Sequence, residues 1–321
     1  MAAVLGMLML ILDANTALKG AREGIALCTA TVLPSLFPFF VLSGLLTFAL
    51  SGTKSKFLRP LGRFCGMPEG SESLLLIGLL GGYPTGAHTV TQVWQDGKLT
   101  ERDAKHLLSF CSNAGPAFLF GICGSLFTNW WMPLLLWGIQ IVSALLTAHY
   151  LRAPHRNHAG ITAGSGFSLP LALDRAIRTS ARVCGWVVLF RIGITCLEQR
   201  ILYFLPLLPR LLISGILELT NGCCLLTSAP SEELRFLLAG VFLSFGGLCV
   251  LMQTASVTGR LGIGSYLKGK LVQTLLCLLL SLPIVFRTEF PAIPAMIPAV
   301  ILFLIFKKGK KSCGKMRTVG V

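Results

Sequence analysis

Apolar runs of about twenty residues recur along the whole chain, and that alone narrows the folds open to it. About 20 residues of helix cross a bilayer core of roughly 30 Å. Inside lipid, every backbone polar group must find its partner within the protein. Charge is correspondingly scarce: 13% of the 321 residues are Asp, Glu, Lys or Arg, against about 25% in a soluble domain. The reading is an all-α polytopic membrane protein, a single transmembrane domain over 1–321, with the lipid bilayer as its surroundings and no soluble catalytic module.

About eight runs are long enough to cross: 1–18, 25–50, 107–127, 130–151, 184–205, 235–258, 270–286 and 289–306. The opening MAAVLGMLMLILDANTAL has the look of a signal peptide but lacks a basic leader, and another apolar run follows closely, so it reads as a first membrane helix. The net charge of +15 raises nucleic acid as a partner and then excludes it. The basic residues sit in short loops and in the tail KKGKKSCGKMR, where the bias of Lys and Arg toward cytoplasmic loops accounts for them. The loops around Lys54, Arg63, Arg152, Arg182, Arg260 and Lys270, and both termini, can share the cytoplasmic side if two further segments return to the side they entered. APSEEL (229–234) then falls outside, while Lys19, Arg22, Arg200 and Arg210 run against the rule. The 11 cysteines are scattered, with no CxxC pair and no Cys/His cluster at zinc spacing. They imply no disulfide framework, no metal and no cofactor.

The two returning segments are 72–95 and 210–228, both apolar and both interrupted. In LLGGYPTGAHTV (79–90), Pro84 removes a backbone donor and pushes Tyr83 out of helical geometry. Each half is then about 14 Å long. Polar backbone freed at that depth must be buried in protein or line a wet cavity. A second half-helix starting near Thr85–Gly86 aims bare N–H groups and a positive dipole end at such a cavity, which favours an anionic or electron-rich ligand. The plainer alternative is one kinked helix packed through its glycines. In GILELTNGC (215–223), Glu218 lies where a charge costs about 2.5–3.5 kcal/mol on insertion scales. Thr220, Asn221 and Gly222 follow with side-chain oxygens and a flexible turn. The plainer alternative there is a neutral acid near a helix end.

Each interrupted segment is followed by a glycine-rich helix start, FCSNAGPAFLFG (110–121) and FLSFGGLCVLMQT (242–254). Ser112, Asn113, Gln253 and Thr254 are candidate ligands for a solute or a coupling cation, or simply interhelical hydrogen-bonders. Arg191 in VVLFRIGIT either snorkels or points inward toward Glu218 or a solute carboxylate. His88 is a donor or a filler. QDGKLTERDAKHLL (95–108) opens a helix at Thr100 and is assigned no chemistry. The candidate solute site is therefore Gly82, Tyr83, Pro84, Thr85, Gly86, Ser112, Asn113, Arg191, Glu218, Thr220 and Asn221, with no catalytic residue. Residues 20–151 and 183–290 would form two inverted repeats of crossing, broken hairpin and two crossings. A cytoplasmic linker over 152–182 would join them, and 291–321 would supply a last helix and a basic tail.

GGYPTGA, a short acidic–basic turn and LLSFCSNAGPAF together closely resemble the nucleoside-recognition (gate-domain) membrane proteins, and within them the sporulation integral membrane type. CTATVLPSLFPFFVLSGLL (28–46) and GILELTNG fit the same pattern, which covers most of 20–290. Ser112 stands where that pattern has Asn. The resemblance implies kinship with the concentrative nucleoside transporters and their re-entrant hairpins. It also implies a place in the outer forespore membrane and movement of dipicolinate out of the mother cell. Tyr83 and Phe110 would then stack on the ring of such a solute. The readings in competition are a transporter or facilitator of a small anionic heterocycle, a nucleoside-type transporter, and a structural protein of the sporulation membrane. A membrane enzyme is not expected: His88 and His106 have no acidic partner at ligand spacing.

Overall fold

The computed structural model describes residues 13–50, 58–152 and 168–285, and every regular element among them is helical. Helix α1 (Ala14–Leu27) runs through a π-turn at Cys28–Val32 into α2 (Leu33–Leu50). Short helices α3 (Arg59–Cys65), α4 (Glu72–Leu80), α5 (Thr85–Gln95) and α6 (Glu101–Leu108) follow. A non-helical segment, 109–115, leads to α7 (Pro116–Phe118), whose helical path continues to Leu126. Then come α8 (Trp131–Tyr150), α9 (Leu169–Arg200), α10 (Leu207–Leu217), α11 (Leu219–Leu225), α12 (Glu232–Phe245), α13 (Gly247–Thr258) and α14 (Gly264–Val285).

Five stretches among the described residues are long and apolar enough to cross a membrane: Ala14–Leu42, Trp131–Tyr150, Leu169–Arg200, Glu232–Leu261 and Gly264–Val285. The protein is a polytopic helical membrane protein. These five match the runs at 25–50, 130–151, 184–205, 235–258 and 270–286, and the other three expected crossings fare differently. No turn separates 1–18 from 25–50 where both are described: Lys19 and Arg22 are carried on α1, with Lys19 4.0 Å from Glu23 one turn on, a spacing that supports a helix. Residues 1–12 and 289–306 lie outside the described residues. The run 107–127 is broken, because proline disfavours helical geometry in the residue before it; Gly115 before Pro116 is extended at φ −77°, ψ 161°. The expected linker 152–182 is also shorter on its helical side. Ser168 caps α9 by accepting from the Leu171 N–H at 3.4 Å, and Pro170 sits in the first turn, where its missing N–H has no helical partner to lose.

Close helix contacts rest on small residues, as in membrane interfaces generally. A Cβ at Gly20 would lie 2.8 Å from the Ile192 Cα, and one at Gly24 2.9 Å from the Val188 Cα, so α1 lies against the backbone of α9. A Cβ at Gly269 would strike the backbone of Ser109, which sets α14 hard against the 109–115 segment.

Both interrupted segments fold back on themselves. A Cβ at Gly78 on α4 and one at Gly86 on α5 would each strike the Cys111 carbonyl oxygen. Residues eight apart on a straight helix lie about 12 Å apart, so α4 and α5 form a hairpin closed on that carbonyl. Likewise a Cβ at Gly222 would strike the Gly215 backbone, although seven helical residues would separate them by about 10 Å. Hence α10 and α11 form a second hairpin, and the Phe242 ring fills the space beside Gly215.

Candidate functional site

The hairpin tips and the unwound stretches of the helices beside them meet in one place. At the first tip Gly82 takes φ +71°, a conformation open mainly to glycine. It lies against the 109–115 break: a Cβ on Gly115 would be 2.9 Å from the Gly82 Cα. Tyr83, next along, donates its hydroxyl to the Leu243 carbonyl at 3.1 Å. Leu243 sits just before the second break, where Gly246 and Gly247 take φ +82° and +76° between α12 and α13. The second tip reaches the same break, since a Cβ at Gly247 would lie 3.2 Å from the Gly215 carbonyl oxygen.

A cleft opens between the tips, with Gly82, Tyr83, Gly115, Glu218, Thr220 and Gln253 in its wall. A second cleft adjoins it and shares Phe40, Val183 and Gln253. Its wall carries Pro84, Thr85 and His88 from the first hairpin, facing Arg175, Arg178 and Arg182 on α9. Arg178 is paired to Asp174 on its own helix at 2.9 Å. The three arginines lie along the α9 wall of the outer cleft.

The expected site residues therefore separate. Gly82, Tyr83, Glu218 and Thr220 line the inner cleft, and Pro84 and Thr85 the outer one. Gly86 does not face solute space, because its bare α-carbon is the seat of the Cys111 carbonyl. Glu218 is 2% exposed and closes its own helix: its carboxylate accepts from the Thr220 and Asn221 N–H groups at 2.9 and 2.6 Å. The N-terminus of α11 is thus already occupied by the protein's own anion rather than left bare.

Arg191 turns inward but is not the partner of Glu218. It donates to Glu23 of α1 at 2.7 and 3.0 Å and to the Asn221 Oδ1 at 2.5 Å, which ties α1, α9 and the second hairpin together. Phe110, expected to stack on a solute, is fully buried, with its ring 5.1 Å from that of His106. Ser112 is buried with its hydroxyl unpaired, and Thr254 is buried too. His88 is exposed in the outer cleft. Among the described residues no group of three metal-binding side chains gathers.

Asn113 leads to a residue that sequence reasoning placed in a cytoplasmic loop. Its Oδ1 accepts from the Lys270 ammonium at 3.1 Å and from the Gln273 amide at 2.9 Å, and its own amide donates to the Phe110 carbonyl at 2.7 Å. Lys270 has no exposed surface at all. A signal was present in the sequence: Tyr266, Lys270, Gln273 and Cys277, spaced four, three and four, form one polar stripe of a helix.

No family model matches the chain, and no solved structure does at a significant level. The chain is similar to the protein named Sporulation integral membrane protein YlbJ of Bacillus subtilis (strain 168). The two are 25% identical over an alignment of 293 positions, covering 76% of this chain and 71% of the relative.

Proposed function

We propose that this chain is a secondary transporter or facilitator of a small anionic heterocyclic solute in the membranes of a sporulating bacterium, not an enzyme. The carrying observation is the cleft walled by both hairpin tips and approached past three arginines. Broken helices meeting at a cavity are how membrane proteins expose polar backbone to a solute. On this reading the hairpins are re-entrant, the two halves are inverted repeats with both termini cytoplasmic, and the first tip moves to open the cleft.

Dipicolinate is the first solute to test, with the outer forespore membrane as the site of action. The similarity to a sporulation membrane protein and the resemblance to the gate-domain family support that choice. A planar dicarboxylate suits a site with an aromatic residue at its tip and a cationic entrance. A coupling cation is a further candidate partner.

Flux of labelled dipicolinate and of uridine into proteoliposomes tests the reading. Dipicolinate uptake that saturates supports it, and uptake of uridine alone would reassign the protein to nucleosides. Folded protein that moves neither would leave the structural role as the better reading. A deletion strain assayed for dipicolinate through sporulation supplies the cellular counterpart, with accumulation in the mother cell as the expected result.

A further inference from the structure

Helix α9 is longer than a membrane needs. Its 32 residues reach about 48 Å, against a hydrocarbon core of roughly 30 Å. Just past its end at Arg200, Tyr203 and Phe204 are 75% and 77% exposed, and aromatic residues gather at the border between acyl chains and headgroups. Counting about twenty residues back from Arg200 brings the opposite border close to Arg182. Arg178 then stands about 6 Å farther out, within the headgroup layer, and Arg175 just beyond it.

All three arginines line the outer cleft, and among the described residues no Asp or Glu lines it. Asp174 accepts from the Arg178 Nε at 2.9 Å, which leaves the two terminal nitrogens of that guanidinium without a protein acceptor. His88 and Gln92 on α5 and Thr179 on α9 also line the cleft. Among the described residues, neither they nor Arg182 spend their side chains on a hydrogen bond or an ion pair within the protein. A guanidinium carries five donors and no acceptor, and its planar fork matches a phosphate. Arg178 and Arg182, four apart, are neighbours on one helix face.

The rest of the wall is apolar. Phe40, Val183 and Trp186 line the same cleft, and Val183 and Trp186 fall on the hydrocarbon side of Arg182 by the same count along α9. An anion dissolved in water gains nothing from that half. An amphiphile gains from both, its charge from the arginines and its chains from the apolar burial.

We propose that the α9 wall of the outer cleft is a binding site for one anionic phospholipid, its phosphate held by Arg178 and Arg182 and its acyl chains laid along Val183 and Trp186. Basic pockets between membrane helices take anionic headgroups in this way. The site rests on α9 crossing the bilayer and is independent of the solute reading.

Native mass spectrometry of the full chain in detergent tests it, with titration by phosphatidylglycerol and by phosphatidylcholine of the same acyl chains. Wild type is expected to bind the first phosphatidylglycerol about twentyfold more tightly, about fivefold for each of two arginines. Arg178→Gln with Arg182→Gln is expected to abolish the preference. Arg182→Gln alone breaks no contact within the protein, so it covers the case in which the double variant does not fold, and it is expected to lower the preference about fivefold. Arg260→Gln removes an exposed arginine that lines neither cleft and is expected to leave the preference unchanged. A wild type without preference, a preference unchanged in Arg182→Gln, or an equal loss in Arg260→Gln overturns the proposal. Inorganic phosphate or dipicolinate that displaces phosphatidylglycerol at equal concentration would assign the arginines to a free anion and overturn it as well. A protein that selects the lipid yet moves no dipicolinate would sink the solute reading and leave this one standing.

Discussion

Glu218 shows how a costly residue can be legible in position and misread in role. An acid inside an apolar run reads as a group waiting for a ligand. In the fold it is the N-cap of α11, accepting two backbone N–H groups of its own chain. It still borders the inner cleft, so structure and solute share one carboxylate. Glu218→Ala removes the cap and is expected to cost about 1–2 kcal/mol, read as a fall in unfolding midpoint in detergent. Glu218→Gln keeps an accepting oxygen, and a smaller loss of stability is expected, with solute flux abolished and membrane insertion intact. Arg191 was legible as inward or snorkelling but not in its partners, since Glu23 is 168 positions away in the chain. Arg191→Leu leaves the buried Asn221 Oδ1 without its donor and takes the two shortest bonds from Glu23, which is part-exposed and keeps Lys19 and Thr195 nearby, and is expected to cost about 1–3 kcal/mol, the usual penalty for an unsatisfied buried group. The double variant Arg191→Leu with Glu23→Leu should recover part of that loss in the same melting assay.

At the scale of the element, the break at Gly82–Pro84 was readable because backbone chemistry is local: proline lacks a donor and glycine opens positive φ; the second break falls at Glu218, extended at φ −145°, whereas Thr220, Asn221 and Gly222, expected to form the turn, are helical in α11. What lies opposite each break was not readable. Two hairpin glycines serve one carbonyl, that of Cys111, and nothing near them in the chain announces it. Gly86→Ala pushes a methyl into that carbonyl, so a loss of about 1–3 kcal/mol or more is expected from overpacking. Gly138→Ala, on α8 where a Cβ would meet nothing within 4 Å, should leave stability unchanged or slightly raised. Equal melting temperatures for the two variants would refute the hairpin packing. Gly82→Leu, at φ +71°, is expected to abolish flux while the protein still inserts.

For the whole molecule, the clefts form only where α2, α9, both hairpins and both breaks converge. Val183 on α9 borders both clefts and is 6% exposed. Val183→Trp should close the passage between them, with dipicolinate flux in proteoliposomes falling at least tenfold (about 1.4 kcal/mol) while the protein elutes as wild type by size exclusion.

Periodic apolar runs, scarce charge and interrupted segments determined from the sequence alone that this is a polytopic helical protein with two marked break points, because hydrophobic length and backbone geometry are properties of a contiguous stretch. Tertiary structure alone decided that Lys270 is buried rather than a loop residue, that Arg191 meets Glu23, and that Asn113, Gln273 and Tyr83 gather around one amine. Those outcomes depend on which helix faces lie against one another across more than a hundred residues, and a rule that reads charge by its place along the chain carries no information about facing.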